Sequence, residues 1–559
     1  MVRRLIRYLN REILGLHQAA FLLAFFALSS QILALVRDRL LAHTFGAGAD
    51  LDIYYAAFRI PDFVFITVAS IVSVSILVPF LVEKLKDGTE EAKRFVDQIF
   101  TFFFAIILVV CGALFFFASP LLGFVFPGFS DSEHELLVTL TRIMLLSPII
   151  LGVSNLLGSI SQTYRRFFLY ALSPVLYNLG IIFGIVFLAP EWGVIGVAVG
   201  VIGGAVMHLV IHIPFVLKKG LFPCPRLRLD SGVLRSVALL SVPRTFTLGI
   251  THLTILVLLS MASLMAEGSI SVFNFSFNLQ SVILSIVGVS YSLAAFPTLT
   301  RLFSEERKKE FLEYLTTSAQ HIIFWSIPAA VLFIVMRAQI VRVVLGTGEF
   351  DWEATQLTAA ALGLFVISVV FHGLIHLFIK TYYAMSNTVL PLIVSLFSGI
   401  FGIGSAFTFV FLFERMESFR FFIEALLRVE GLDGTEVLML PLGFSLGIIL
   451  NGILFWIYLE RDFRGFSRPV LRTLSQSLAA AILGGGAAYV TLGVYSLFID
   501  LTTLLAVLLQ GFVAGLVGLS VNILTLILLK NEEIVIVADT LKRRFWKAKV
   551  VGPDANVVQ

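Results

Sequence analysis

This chain is short of charge. Asp, Glu, Lys and Arg make up 14% of its 559 residues, against about 25% in an ordinary soluble domain, and no polar stretch is long enough to build a separate soluble domain. Cysteine is nearly missing too. Cys111 lies in an apolar run and Cys224 in a basic loop, which excludes a disulfide framework, and no Cys/His ligand spacing suggests a metal site. The sequence has no phosphate-binding P-loop and no H-E-x-x-H, and no other catalytic constellation, so an enzyme is not expected. Its apolar runs do not alternate with polar residues, which excludes a β-barrel. The net charge of +4 arises in short loops rather than on one basic face, so nucleic acid is not an expected partner.

What remains is apolar. Hydrophobic residues are 58% of the chain and the mean hydropathy is +0.98. Runs long enough to cross a bilayer, roughly 20 residues each, recur from end to end. They predict an all-α polytopic membrane protein with about 14 transmembrane helices, at 18–42, 51–82, 92–118, 134–162, 167–188, 193–217, 235–265, 269–302, 310–336, 353–383, 388–413, 436–459, 470–498 and 502–529. Arg3, Arg4, Arg7 and Arg11 precede an apolar run with no small-residue cleavage site, so 1–17 reads as a basic interfacial helix before an uncleaved first span. Pro61 and Pro79 predict a bend in the second span.

Loop charge alternates. Lys84, Lys86, Lys93 and Arg94 follow span two, Arg165 and Arg166 follow span four, and Lys218, Lys219, Arg226 and Arg228 follow span six. The same side collects Arg301, Arg307, Lys308 and Lys309, then Lys380, then Arg461, Arg464, Arg468 and Arg472, and finally a basic tail at 531–559. The opposite loops are acidic or poor in cations, as at 119–133 and 414–435. The positive-inside rule places both termini in the cytoplasm.

An internal repeat is visible. Gln162-Thr-Tyr through Pro174 is echoed by Lys380-Thr-Tyr through Pro391, and Gly48 through Pro79 by Gly268 through Pro297. Six spans separate the copies, so they share one orientation, as parallel repeats do about an axis along the membrane normal. The expected domains are two pseudo-symmetric six-helix lobes around a central cavity, 18–230 and 231–465, followed by two C-terminal helices at 466–530.

Against this background one stretch stands apart. Between residues 29 and 81, two apolar segments meet at Phe45-Gly46-Ala47-Gly48-Ala49, with Arg37, Asp38, Arg39, Asp50, Asp52, Arg59 and Asp62 around the turn. A charge at membrane depth costs roughly 2.5–3.5 kcal/mol on insertion scales unless it faces water or a partner, so such residues mark a functional place. Antiparallel packing of spans one and two brings Arg37 and Arg59 to one level, and a guanidinium fork suits phosphate oxygens. The competing reading is a salt-bridge network of Arg37, Asp38, Asp52 and Arg59 that holds the turn. His208 and His212, and His372 and His376, each share a helix face at i, i+4 spacing. They read as hydrogen-bonded interhelical residues, with a proton or metal role as the alternative.

Val36-Arg37-Asp38-Arg39 with His43 and Phe45 through Asp52, followed by Ala57-Phe58-Arg59-Ile60-Pro61, resembles the signature of the MviN/MurJ family of lipid II flippases, in the multidrug/oligosaccharidyl-lipid/polysaccharide exporter superfamily. Leu345-Gly-Thr-Gly-Glu-Phe350, with Thr381-Tyr-Tyr-Ala384 and Asn387-Thr388, is similar to a second stretch of that family. The resemblance implies alternating access about a cationic cavity in the bacterial cytoplasmic membrane. Its cargo is an undecaprenyl-pyrophosphate-linked peptidoglycan precursor, with another undecaprenyl-linked glycan, or a scaffold role in envelope assembly, as alternatives. The resemblance carries over Arg37 and Asp52; the residues around them complete the expected substrate-binding set with Asp38, Arg59, Asn278 and, in span seven, Arg244 and His252 as compensating groups, with Gly46, Gly48 and Pro61 at turns. The implied partners are the lipid-linked precursor, the bilayer and cell-wall synthesis proteins. The implied cofactor set is empty, with coupling to membrane potential or a monovalent cation. The chain departs from the family where Gln31, Phe65, Ile66 and Asn278 stand in place of arginines, and span eleven carries no carboxylate between Val389 and Leu412.

The expected topology has a direct check. Single cysteines placed in 83–94 should resist an impermeant thiol reagent added to intact cells, while those in 119–133 should be labelled; labelling of the first set from outside reverses the assignment.

Overall fold

The computed structural model describes residues 16–68, 74–226 and 231–535. The expected interfacial helix before residue 16 and the tail beyond 535 lie outside the described residues. Every regular element described is helical. In chain order these are α1 (Leu16–Phe45), α2 (Ala49–Val68), α3 (Val74–Lys86), α4 (Thr89–Phe116), α5 (Ala118–Val125), α6 (Asp131–Met144), α7 (Leu146–Thr163), α8 (Phe167–Phe183), α9 (Ala189–Val210), α10 (Ile213–Lys218) and α11 (Ser231–Ala262). Then follow α12 (Ser269–Ile283), α13 (Ser290–Ser304), α14 (Lys308–Val335), α15 (Arg337–Val344), α16 (Trp352–Val366), α17 (Val369–Ala384), α18 (Val389–Arg415), α19 (Glu417–Leu427), α20 (Met439–Asp462), α21 (Ser467–Phe498) and α22 (Leu504–Leu528).

Each of the fourteen expected spans coincides with helix, several as broken pairs. Among the described residues nine helical stretches are long and apolar enough to cross a membrane, ten when α16 and α17, bent by 45°, count as one; one of the nine is the 52-residue stretch Phe167–Lys218, which holds two expected spans. Its turn is made by Gly193, at φ 54°, ψ −141°, a conformation only glycine adopts without strain. A π-helical turn over Gly184–Leu188 leads into it, and another over Leu284–Val289 joins α12 to α13. Helix α2 runs through Pro61 without a break. Ser130 and Glu133 form a reciprocal capping box that starts α6.

By contact the chain forms two compact units. The first comprises 1–282, 341–365 and 387–451, the second 283–340, 366–386 and 452–559. The first therefore takes in the whole of the expected lobe 18–230 together with α11, most of α12 and later segments. Its core is built where α3, α4, α7 and α10 meet, around Phe95, Phe103, Ile160 and Phe215. In the second unit Leu332 of α14 packs with Ala488 and Leu492 of α21 and Ala514 of α22. Large apolar side chains that stay exposed, such as Phe116, Phe187, Phe397 and Phe512, suit a lipid surround.

The tightest helix contact is between α8 and α9. A Cβ on Gly184 would lie 2.7 Å from the Gly200 Cα, and one on Gly196 2.5 Å from the Leu188 carbonyl carbon. Small residues at four-residue spacing let the backbones touch, which is how helices associate where no hydrophobic effect drives them together. Gly200→Ala has no room to relax, since its methyl would lie 2.6 Å from the Gly184 Cα. It should destabilise the protein by about 1–3 kcal/mol, read as a lower midpoint in detergent thermal unfolding; Gly203→Ala, which meets nothing within 4 Å, should leave the midpoint unchanged.

Candidate substrate site

The charged stretch of the sequence folds into one connected place in the first unit. On α1, the Arg37 side chain donates from Nε and Nη2 to Asp38 Oδ1 at 3.0 and 2.8 Å. From Nη1 it donates to Asn178 Oδ1 of α8 at 3.2 Å. Asp38 Oδ2 accepts from Asn278 Nδ2 of α12 at 3.1 Å, and Asp38 is 4% exposed. Arg37 keeps 22% of its side chain open, so it is positioned by its partners without being sealed by them. Asn178 is fixed in turn by Ser30 Oγ at 3.1 Å and the Pro174 carbonyl at 3.2 Å.

Arg59 on α2 donates to Asn274 of α12, one helical turn before Asn278. Arg59 and Asp38, the carboxylate that holds Arg37, therefore meet one asparagine stripe on α12, from two different helices. The Arg59 Nε is buried without a partner. Tyr54 and Tyr55 are buried in the first turns of α2. His252 on α11 lies 3.7 Å from Asp62. The Arg244 side chain lies outside the described residues.

The predicted network of Arg37, Asp38, Asp52 and Arg59 resolves into separate devices. Asp38 pairs with Arg37. Asp52 meets no cation: its oxygens accept from the Gly268 and Ser271 amides at 2.8 and 2.7 Å and from the Ser271 hydroxyl at 2.6 Å. It satisfies the exposed amides at the start of α12, where a carboxylate also suits the helix dipole.

That tie draws the turns of the two repeats together. Gly268 is at φ +87°, and a Cβ there would strike the Ala47 carbonyl. Glu267 Oε1 accepts from the Ala49 amide at 2.8 Å. Gly46 supplies the left-handed turn at φ +64°, with Glu349 O 2.7 Å from where its Cβ would be; Gly48 instead opens α2, its carbonyl accepting from Asp52 N at 3.0 Å. The Glu349 amide donates to the His43 carbonyl at 3.1 Å, and Arg39 to the Val343 and Val344 carbonyls. The two sequence motifs, 36–52 and 345–350, are thus interlocked, beside a cavity of about 330 Å³.

Sequence reasoning did not single out Asn178 or Asn274. A neutral amide inside an apolar run is a weaker flag than a charge, yet in a membrane it carries the same demand for a partner. Among the described residues no cluster of three or more His, Cys, Asp or Glu is arranged to hold a metal.

Helical spans, a partly open arginine among amides and two interlocked turn motifs can be set beside known proteins. The profile of the family described as "Lipid II flippase MurJ" matches residues 41–509. The chain belongs to the MurJ family. A relative from Burkholderia cenocepacia, named lipid II flippase MurJ, is 27% identical over 487 residues, covering 85% of this chain and 89% of that protein. One from Thermotoga maritima, named probable lipid II flippase MurJ, is 27% identical over 66% of this chain and 74% of its own. A solved structure of lipid II flippase MurJ in an inward closed conformation has a TM-score of 0.70 at 22% identity, covering 91% of this chain and all of that one. An inward-facing MATE transporter of the MOP superfamily has a TM-score of 0.61 at 13% identity, over 78% and 96%. This MurJ-family chain is therefore a multi-pass membrane protein of a transporter fold.

The Arg37–Asp38 pair can be tested as a pair. Removing one member leaves a buried charge alone, worth about 3–5 kcal/mol. Arg37→Ala should therefore lower the unfolding midpoint more than the double variant with Asp38→Ala does; additive effects would show that the two are not coupled.

Proposed function

We propose that the protein carries an undecaprenyl-pyrophosphate-linked peptidoglycan precursor, lipid II, across the bacterial cytoplasmic membrane by alternating access, with both termini in the cytoplasm. One observation carries this reading. Arg37 sits half-buried among α1, α8 and α12, is oriented by Asp38 and Asn178, and keeps 22% of its side chain open. A fixed fork suits a pyrophosphate, whose oxygens can displace the carboxylate as partner. Asn178, Asn274 and Asn278 add neutral amides that suit sugar and peptide groups. The interlocked turns at Gly46, Gly268 and Gly348 lie where loop charge places the outer side, and opening outward requires them to part. The protein is a transporter rather than an enzyme, needs no cofactor, and draws on membrane potential or a monovalent cation.

A second reading has one observation in its favour. Amides and Asp38 leave the site nearly neutral where Gln31, Phe65, Ile66 and Asn278 replace arginines, which fits another undecaprenyl-linked glycan. Depleting the protein from its host and identifying the lipid-linked intermediate that accumulates separates the two. Arg37→Ala should reduce complementation of a lipid II flippase-depleted strain by at least tenfold in plating efficiency; full complementation by that variant removes Arg37 from substrate binding.

A further inference from the structure

The exposed apolar surface of the first unit does not stop where α18 ends. Along that helix Ile393, Phe397, Ile400, Phe407 and Phe411 are each more than half exposed, and their spacing puts them on one face, a stripe that suits acyl chains. At Met416 the backbone leaves the helix (φ −115°, ψ 94°) and α19 starts with the next residue. This second helix does not run on outward. Phe419 in its first turn stacks on Phe409 at 6.2 Å, and Phe409 lies about 9 Å back from the end of α18 at 1.5 Å per residue. The Arg420 guanidinium lies over the Phe413 ring at 5.8 Å. The short helix is thus folded back beside the last two turns of the long one.

Its two faces lead to different places. On one, Phe421, Phe422 and Leu426 are between 59% and 67% exposed, and helical spacing gathers them into one apolar arc around Ala425. On the other, Ile423 and Glu424 are buried. The Glu424 carboxylate accepts from Arg420 Nε at 2.8 Å and from Thr435 Oγ1 at 2.7 Å. Thr435 is fully buried and opens the 3-10 turn Thr435–Leu438 directly after Gly434. A Cβ on Gly434 would lie 3.1 Å from the Ala266 Cβ, and the Ala266 amide donates to Glu436 at 3.4 Å. Glu436 and Asp433 also attract the Arg420 guanidinium. Ala266, Asp433 and Gly434 belong to the wall of the turn cavity, with Gly46 and Glu349.

We propose that α19 is an interfacial helix seated in the outer leaflet, with Phe421, Phe422 and Leu426 among the acyl chains just below the head groups, and that it ties the 428–438 loop, and with it one wall of the turn cavity, to the lipid. An apolar arc on a short helix with a charged edge is stable where head groups meet acyl chains. Two observations select lipid as the partner. The lipid-facing stripe of α18 leads into the arc through Phe411 and Met416, both exposed. Beside the arc, Arg415 lies over the Phe411 ring at 4.6 Å and Arg420 over Phe413, so each buries its stem on a phenyl ring and lifts its head toward phosphate. Exposed Glu414 and Glu417 flank the same turn, marking where the span gives way to the polar level. Parting of the turns then requires the loop to leave α19 or α19 to shift in the leaflet. That the leaflet is the outer one rests on the orientation proposed above.

Depth is measured on the full chain carrying Cys111→Ala and Cys224→Ser, in nanodiscs of phosphatidylethanolamine and phosphatidylglycerol, with a nitroxide on Phe421→Cys, Phe422→Cys, Leu426→Cys or Glu430→Cys. Oxygen should relax the labels at 421, 422 and 426 several-fold more than a water-soluble nickel chelate does, at a depth of about 5–10 Å, and the order should reverse at 430. Labels at 421, 422 and 426 that all favour the chelate leave the face in water, as a face made for another protein is, and overturn the proposal. Broadening between labels of two copies, lost on dilution with unlabelled protein, assigns the face to a second copy and overturns it too. The tie is measured as the alkylation rate of Asp433→Cys on the cavity wall. Joint Phe421→Ser, Phe422→Ser and Leu426→Ser should raise that rate several-fold, as should Thr435→Val alone, while Phe421→Leu with Phe422→Leu should leave it unchanged. A rate that moves with neither variant, in protein that keeps its unfolding midpoint, overturns the tie to the cavity. In intact cells Glu430→Cys should react with an impermeant thiol reagent; protection there overturns the orientation and leaves the measured depths standing.

Discussion

The seating of α1 against α12 hangs on one carboxylate. Asp38 is shared between an arginine on its own helix and an asparagine on α12, and those two bonds fix the depth and rotation of α1 against α12. In water such a pair is worth little, since each partner has a ready substitute. Out of water there is none, and the pairing becomes a constraint on how the helices can lie. The same bond orients Arg37, and under the proposed function an anion that took its guanidinium would exchange with Asp38, one ion pair for another.

Asp52 uses the same scarcity differently. Its two oxygens are filled by the first amides and a hydroxyl of α12, so a helix start more than two hundred residues away in sequence is capped by a residue of α2. The capping joins the two copies of the repeated turn, and the third turn, at 346–350, closes on Gly46 and His43. Glycine is required at Gly46 and Gly268 because backbone from another turn occupies the place of a side chain.

Much of this was legible in the sequence. The spans follow from apolar run length alone, and a short link at 189–192 correctly implied two helices turning back on each other. Arg37, Asp38 and Arg59 announced themselves as charges where charges are costly, and Asn278 as an amide standing where the family has an arginine. Other things could not be read. That Asp52 faces backbone amides, while Asp38 faces a guanidinium, depends on which helices touch, and the two residues look alike in a string of letters. Asn178 and Asn274 were overlooked because amides are uncharged. The repeat was visible as spacing, but nothing in spacing says that its two turns touch. His208 and His212 were expected to be hydrogen-bonded between helices, and they are, to Ser154 and Ser161 of α7.

The reversal at Gly193 bears on how the protein is made. Helices α8 and α9 share a backbone seam of glycines and have almost no linker between them. Neither has a stretch of chain long enough to wait on the far side while its neighbour is being synthesised. The two must leave the insertion machinery together, as a preformed hairpin, and the seam that holds them must assemble before the rest of the bundle has arrived.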